Sequence, residues 1–348
     1  MGRDMVNYSF LAVNDSEMQN SKCKIQNDCV READIFKIIS GGNTFILHSA
    51  FDRQVAQTTI YLTNSKGVHT MIDLLKSVLF GIVEGITEWL PVSSTGHLIL
   101  LNEFLTLGVD ENFYEMYQVV IQLGAILAVI VLFFNKLNPF SLKKDQKQKL
   151  RTWILWAKVV VAVIPSAVIG LLLDDWMDAH FYNAWVVAAM LIVYGFAFIF
   201  VERQSKGKSR KIKNVNEIDY RTALLMGAFQ CLSLIPGTSR SGSTILGGIL
   251  LGVSRVAASE FSFFMAIPTM LGASALKLLK YILEGFTASA LDIGVLVVGC
   301  VVSFVVSLLV IRALMKYVRS HSFASFGIYR IGLGALVLIY FAIKAIFF

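Results

Sequence analysis

The sequence predicts an all-α polytopic membrane protein built from two inverted-topology repeats, each a re-entrant helix hairpin followed by three transmembrane helices. Three observations carry that expectation. The 348 residues are 56% hydrophobic and only 16% charged, where soluble domains carry about 25% charged residues. Apolar segments recur at close to the ~20 residues that a spanning helix needs. Two of them are interrupted by proline, glycine and hydroxyl residues, and the sequence around the two breaks is alike.

The first 70 residues stand apart. They are polar, hold seven Lys/Arg and seven Asp/Glu, and contain no long apolar run. No apolar stretch follows the early charges as it would in a signal peptide. Residues 1–70 therefore read as an extension without its own fold or as a start-site artefact, with the functional membrane domain at 71–348, beginning near Met71. The whole excess of positive charge, 24 against 17, lies in that second part. It gathers in a few loops and reads as a topology signal rather than as nucleic-acid binding. Cys23, Cys29, Cys231 and Cys300 show neither metal spacing nor a disulfide framework.

In chain order, the apolar segments are 72–90 with 98–107, then 116–134, 152–173, 184–201, 222–235 with 242–252, 257–276, 293–311 and 327–347. The two broken segments have halves too short to cross separately. They read as re-entrant hairpins, since irregular backbone at membrane depth is tolerated where it lines a cavity. The other six can span. Loops 135–151, 202–221 and 312–326 are rich in Lys and Arg and belong on the cytoplasmic side. Loop 108–115 carries Asp110, Glu111 and Glu115, loop 174–183 carries Asp174, Asp175 and Asp178, and both belong outside.

This assignment is consistent when each broken segment returns to the side it entered. Each half then has an odd number of crossings, and the second half, about 222–348, is inverted relative to the first, about 71–201. Local matches follow the same order. Gly81 precedes Glu84 by three, as Gly227 precedes Gln230; Pro91 and Pro236 follow ten and nine residues after those glycines. Hydroxyl residues and Gly96 or Gly242 come next, and Leu-Gly-Ala recurs at 123–125 and 271–273.

The polar residues of the hairpins carry the chemistry. Glu84 and Glu88 share one helix face, and two carboxylates in an apolar segment need a cation, a proton or water. The turn Pro91-Val-Ser93-Ser94-Thr95-Gly96-His97 supplies hydroxyls and an imidazole. Its hydroxyls have helix capping as their plain alternative, and His97 has either packing or proton transfer. In the second turn, Pro236-Gly237-Thr238-Ser239-Arg240-Ser241-Gly242, backbone N–H groups ahead of a helix favour an anion. Arg240 can fork onto two phosphoryl oxygens; the plain alternative is an interfacial arginine. Carboxylates facing an anion site are reconciled by Mg²⁺ or Ca²⁺ held by Glu84 and Glu88. Lys158, Glu260 and Arg330, in or near apolar segments, suggest no chemistry beyond interfacial anchoring.

Taken together, Glu84 to His97 and Pro236 to Gly242 closely resemble the two signatures of bacterial undecaprenyl-diphosphate phosphatases, the bacitracin-resistance family, over about residues 71–348. The resemblance implies hydrolysis of the C55-isoprenyl diphosphate to the monophosphate, which recycles the cell-wall lipid carrier and limits the target of bacitracin. It implies a divalent cation, a site open to the outer face of the plasma membrane, and a dimer. Family roles fall on Glu84, Glu88, Ser94, His97, Ser239 and Arg240. The resulting scheme places Arg240, Ser239 and backbone N–H groups on the diphosphate, with Ser93, Thr95, Gly237, Thr238, Ser241 and Gly242 around it. The nucleophile is Ser94 activated by His97, or a water activated by His97 or a glutamate. The rival class is a transporter or flippase of a phosphate-headed polyprenyl lipid, which would use the same repeated architecture.

Overall fold

The computed structural model describes residues 71–181, 183–207 and 209–347, and the regular secondary structure among them is helical. The reading of residues 1–70 as an extension or start-site artefact lies outside the described residues. The helices are α1 (residues 71–87), α2 (Ser94–Phe104), α3 (Glu111–Val120), α4 (Gln122–Leu132), the short α5 (Phe134–Leu137), α6 (Gln146–Phe181) and α7 (Ala184–Ser205). They continue with α8 (Tyr220–Cys231), α9 (Arg240–Leu250), α10 (Arg255–Leu283), α11 (Ala290–Tyr317) and α12 (Ala324–Phe347). Six stretches are long and apolar enough to cross a membrane: Glu111–Leu132, Gln146–Leu173, Ala184–Ser205, Arg255–Leu283, Ala290–Tyr317 and Ala324–Phe347.

Helix starts follow capping chemistry. Asp110, Asn183, Asp219, Ser254 and Ser289 each accept a hydrogen bond from a backbone N–H of the first turn, satisfying donors that a helix leaves unpaired. Helix packing uses small residues, as expected where lipid offers no hydrophobic drive between helices. On α11, Gly299, Ser303 and Ser307 face inward while Val297, Val301, Val305 and Leu309 are exposed. A Cβ on Gly81 of α1 would lie 2.7 Å from the Gly299 carbonyl oxygen. Gly227 of α8 likewise sits directly on the Ala162 carbonyl of α6. Helices α7 and α12 pack closely where Gly195 and Gly327 face each other's carbonyls.

Each broken segment ends beside its own beginning. Lys76 Nζ donates to the Thr106 carbonyl at 2.5 Å, and Gly108 N–H to Asp73 Oδ1 at 3.0 Å. The second segment closes through Ile212, which exchanges backbone hydrogen bonds with Gly252 and Ser254. At the breaks, Ser93 and Ser239 are the two non-glycine residues of positive φ among the described residues, at 74° and 75°. Both cap a helix of 11 residues, Ser93 accepting from Gly96 N and Ser239 from Gly242 N.

Several expectations are adjusted. Helix α6 runs to Phe181, so most of the acidic outer loop at 174–183 is helix. The span at 116–134 begins earlier, at Glu111, and steps at Ile121 between α3 and α4. Of the two Leu-Gly-Ala motifs, Gly124 packs on the Cys300 carbonyl, whereas Gly272 faces open space. Lys158, Glu260 and Arg330 are buried rather than interfacial. Lys158 donates to the Asn216 carbonyl, and Lys136 reaches both oxygens of Glu260 at 2.8 Å. Burial at those points is tolerated because each charge has a partner.

Candidate active site

The turns after α1 and before α9 meet, and their polar side chains form one connected cluster. Glu88 is its hub. Ser94 Oγ donates to Glu88 Oε2 at 2.6 Å. Arg240 donates to Glu88 Oε1 from Nη2 at 3.1 Å and from Nε at 3.3 Å. Its Nη1 donates to the Ser262 carbonyl at 2.9 Å, and the guanidinium carbon lies 5.9 Å from the Trp89 ring centre. Ser241 Oγ donates to the Glu88 carbonyl at 3.1 Å, tying the second turn to the first. Hydroxyl, carboxylate and guanidinium therefore form one hydrogen-bonded chain, with Glu88 94% buried. Of the five N–H donors on a guanidinium, some stay free for a phosphoryl oxygen.

Glu84 is different. It is fully buried, and neither carboxyl oxygen has a hydrogen-bond partner. Such a group is costly unless a cation or a proton compensates it. Gln230, the matching residue of the second hairpin, bonds Ser166 Oγ at 2.8 Å and Thr269 Oγ1 at 3.2 Å through its amide nitrogen. Its amide oxygen Oε1, like both oxygens of Glu84, is buried without a partner.

Helices α2 and α9 both start at the cluster. Their N-terminal N–H groups and dipoles make it a place for negative charge. The positive φ of Ser93 and Ser239 aims these starts, at a cost of about 1–2 kcal/mol each, and such strain concentrates at functional positions. Gly237, at φ 89°, is needed in the second turn because a Cβ there would lie 2.5 Å from the Val187 carbonyl oxygen. Thr238 is fully buried with an unpartnered hydroxyl, Thr95 is half-buried, and Ser239 Oγ lies 3.2 Å from Ser241 Oγ.

His97 is in the same hairpin but outside the cluster. Its Nδ1 is 2.7 Å from the Ser93 carbonyl oxygen and its Nε2 is 2.8 Å from the Tyr329 hydroxyl. The expected Ser94–His97 pair is not formed here, because the hydroxyl of Ser94 is held by Glu88.

Arg330 is the residue that sequence reasoning missed. It is fully buried on α12 and donates to the Pro91 carbonyl of the first turn at 3.0 Å. It also reaches the Gly237 and Thr238 carbonyls of the second turn at 2.7 and 3.0 Å. One guanidinium thus holds both irregular turns together, over the ring of Tyr194 at 5.4 Å. The available signal was a lone arginine in an apolar helix, which at membrane depth points to function by default.

Comparison with known proteins points to one family. The profile of the family described as Bacitracin resistance protein BacA matches residues 77–336. The chain is 55% identical over 268 residues to a protein of Enterococcus faecalis, covering 77% of this chain and 97% of that one. It is 56% identical over 277 residues to one of Streptococcus thermophilus, covering 80% and 96%. It is also 56% identical over 273 residues to one of Lactiplantibacillus plantarum, covering 78% and 99%. All three relatives are named undecaprenyl-diphosphatase.

Proposed function

The chain belongs to the BacA family of bacitracin resistance proteins, and from that premise we propose how its two turns carry out the reaction. It is a membrane hydrolase that converts undecaprenyl diphosphate to the monophosphate and inorganic phosphate. The carrier lipid is thereby recycled, and bacitracin resistance is an attribute of the family.

The observation that carries the mechanism is the chain Ser94–Glu88–Arg240. Arg240 and the N–H groups at the starts of α2 and α9 bind the diphosphate oxygens and stabilise charge as it develops. Glu88 takes the proton of Ser94, whose Oγ forms a bond to the terminal phosphorus. The phosphorus–bridging oxygen bond breaks, and undecaprenyl phosphate leaves. Glu88 releases that proton to the departing lipid phosphate; water then attacks the phosphoserine, its proton passing through Glu88 to Ser94 Oγ as the Oγ–phosphorus bond breaks and inorganic phosphate leaves. Thr238, Thr95, Ser93 and Ser239 border the space where the head group binds. Phosphoserine at Ser94 in quenched turnover mixtures tests this route, and a Ser94→Ala protein with substantial turnover would exclude it in favour of water.

The unpartnered oxygens of Glu84 fit a divalent cation, Mg²⁺ or Ca²⁺, which Glu84 would hold with Glu88. Glu88 is already engaged by Ser94 and Arg240, which makes Glu84 the principal protein ligand. When bound, the cation would withdraw charge from the phosphoryl oxygens. Glu84→Gln should raise the cation concentration needed for half-maximal turnover roughly ten-fold or more; an unchanged requirement would contradict the assignment.

The inverted repeat and its re-entrant hairpins belong to the same proposal. Support comes from the segment ends that meet at Asp73–Gly108 and Ile212–Ser254, and from the matched capping serines Ser93 and Ser239. The reciprocal packing of α1 on α11 and α8 on α6 supports it as well. On the charge pattern of the loops, the first hairpin enters from outside and the second from the cytoplasm. We place the site's opening toward the outer face.

A further inference from the structure

The hydrogen bonds of His97 fix more than its position. A carbonyl oxygen only accepts, so the nitrogen facing Ser93 O at 2.7 Å carries hydrogen. In the neutral ring the lone pair then resides on Nε2, 2.8 Å from the Tyr329 hydroxyl, which donates to it. The two rings are stacked at an interplanar angle of 3°, with centres 5.8 Å apart. Tyr329 is 49% exposed, so its oxygen joins the imidazole to the outside of the cluster. No hydrogen bond links either ring nitrogen to Ser94, Glu88 or Arg240.

We infer that Tyr329 is a positioning residue for the hydrolytic site: it caps the bare Nε2 of His97, whose Nδ1–H the Ser93 carbonyl holds, and keeps that basic nitrogen turned from Ser94, so that His97 exchanges protons through Tyr329. The inference rests on the phosphatase reading given above and adds the partner that reading lacks. A capped Nε2 cannot take the Ser94 proton while the cap is in place, which is consistent with Glu88 holding that hydroxyl. His97 is then positioned to manage protons at the mouth of the site rather than at the nucleophile. The neighbouring residue Arg330 fixes the two turns, so consecutive residues of α12 set the backbone and the imidazole. The ionisable and charged groups facing His97 are Tyr329 and Arg330, both on α12. The α7 side chains packed against α2 beside it, Val187 and Leu191, are apolar.

The test is ¹⁵N NMR of ring nitrogens in the full-length protein in detergent. The sequence has five histidines, and the His97 signals are identified by their loss in His97→Gln. Wild-type protein should show a protonated Nδ1 and a bare, hydrogen-bonded Nε2. Tyr329→Phe keeps the stacked ring and removes only the hydroxyl. Its His97 Nδ1 should stay protonated on the Ser93 carbonyl, and its Nε2 signal should move from that of a hydrogen-bonded nitrogen to that of a free one. Its kcat should fall roughly ten-fold with KM little changed, and the limb of the pH–rate profile that His97→Gln abolishes should shift. Ring signals in Tyr329→Phe identical to wild type would overturn the inference, as would a protonated Nε2 in wild type. The ring spectra need no turnover, so a wild-type protein with these spectra but no hydrolysis would defeat the phosphatase reading and leave the tautomer assignment standing.

Discussion

Arg240 and Arg330 show how two buried guanidiniums divide the work at the scale of single residues. Arg240 reaches a side-chain carboxylate and retains donors for a ligand. Arg330 spends its donors on the backbone carbonyls of the two turns. Arg240→Ala should therefore lower kcat by about 10²–10³, the range for a lost anion-hole donor, in a protein that still folds. Steady-state kinetics beside a thermal unfolding curve checks this, and near-normal turnover would refute the role. Arg330→Ala should differ by lowering thermal stability as well, since a charged hydrogen bond contributes about 1.5–3 kcal/mol and three turn carbonyls lose theirs. Unchanged melting with lost activity would mean that Arg330 contacts substrate instead. Glu84, Glu88, Ser94 and Arg240 were legible in the sequence because charge and hydroxyls in apolar surroundings demand an explanation. The pairing of Ser94 with Glu88 was not, since spacing along the chain suggested His97 equally well. Tyr329 was not singled out, and Arg330 was read as an interfacial anchor, because both lie in an otherwise plain apolar helix far from either motif.

The hairpins depend on close helix contact at the scale of elements. Gly227 lies against the Ala162 carbonyl, and Gly272 faces nothing within 4 Å. Gly227→Ala should therefore destabilise by about 1–3 kcal/mol, the usual cost of overpacking, and Gly272→Ala should be nearly neutral. Equal effects in detergent melting would argue against the packing of α8 on α6. The sequence alone marked both glycines as repeat landmarks, since it carries no sign of which helix faces a neighbour. Helix starts were legible from hydropathy to within a few residues: the segments read from 222, 257 and 293 begin at Tyr220, Arg255 and Ala290, after the caps Asp219, Ser254 and Ser289. Hydrogen bonds from the Thr222 side chain and backbone N–H hold Asp219 below its usual carboxylate range. A depressed folded pKa stabilises the protein above the unfolded value, and that contribution disappears as pH falls through the folded value. Asp219→Asn should consequently flatten the acid side of the melting-temperature profile, most visibly below the ordinary aspartate pKa of about 3.9. The extension of α6 through Phe181 was not legible, since aspartates there signalled an outer loop while helix propensity carried on through them.

On the proposed repeat, the whole molecule builds one asymmetric site from two matched segments. Matching positions hold Glu84 and Gln230, and Ser94 and Arg240 begin the two matching helices. One hairpin brings carboxylates and a hydroxyl, and the other brings the cation for an anionic ligand. Exposed apolar ridges such as Val297, Val301 and Val305 on α11 face outward where lipid would lie, and polar groups are collected at the centre. Hydropathy made the helical membrane plan and its six spanning stretches readable from the sequence, whereas the contacts that lock the two turns together became visible only in three dimensions. The most direct test of the central claim is phosphate release from C55-isoprenyl diphosphate by the purified chain beginning at Met71, in detergent, with and without chelator. The account predicts hydrolysis that chelator abolishes, that added Mg²⁺ or Ca²⁺ restores, and that Arg240→Ala loses. No release by a folded wild-type protein, or release indifferent to Arg240→Ala, would contradict it.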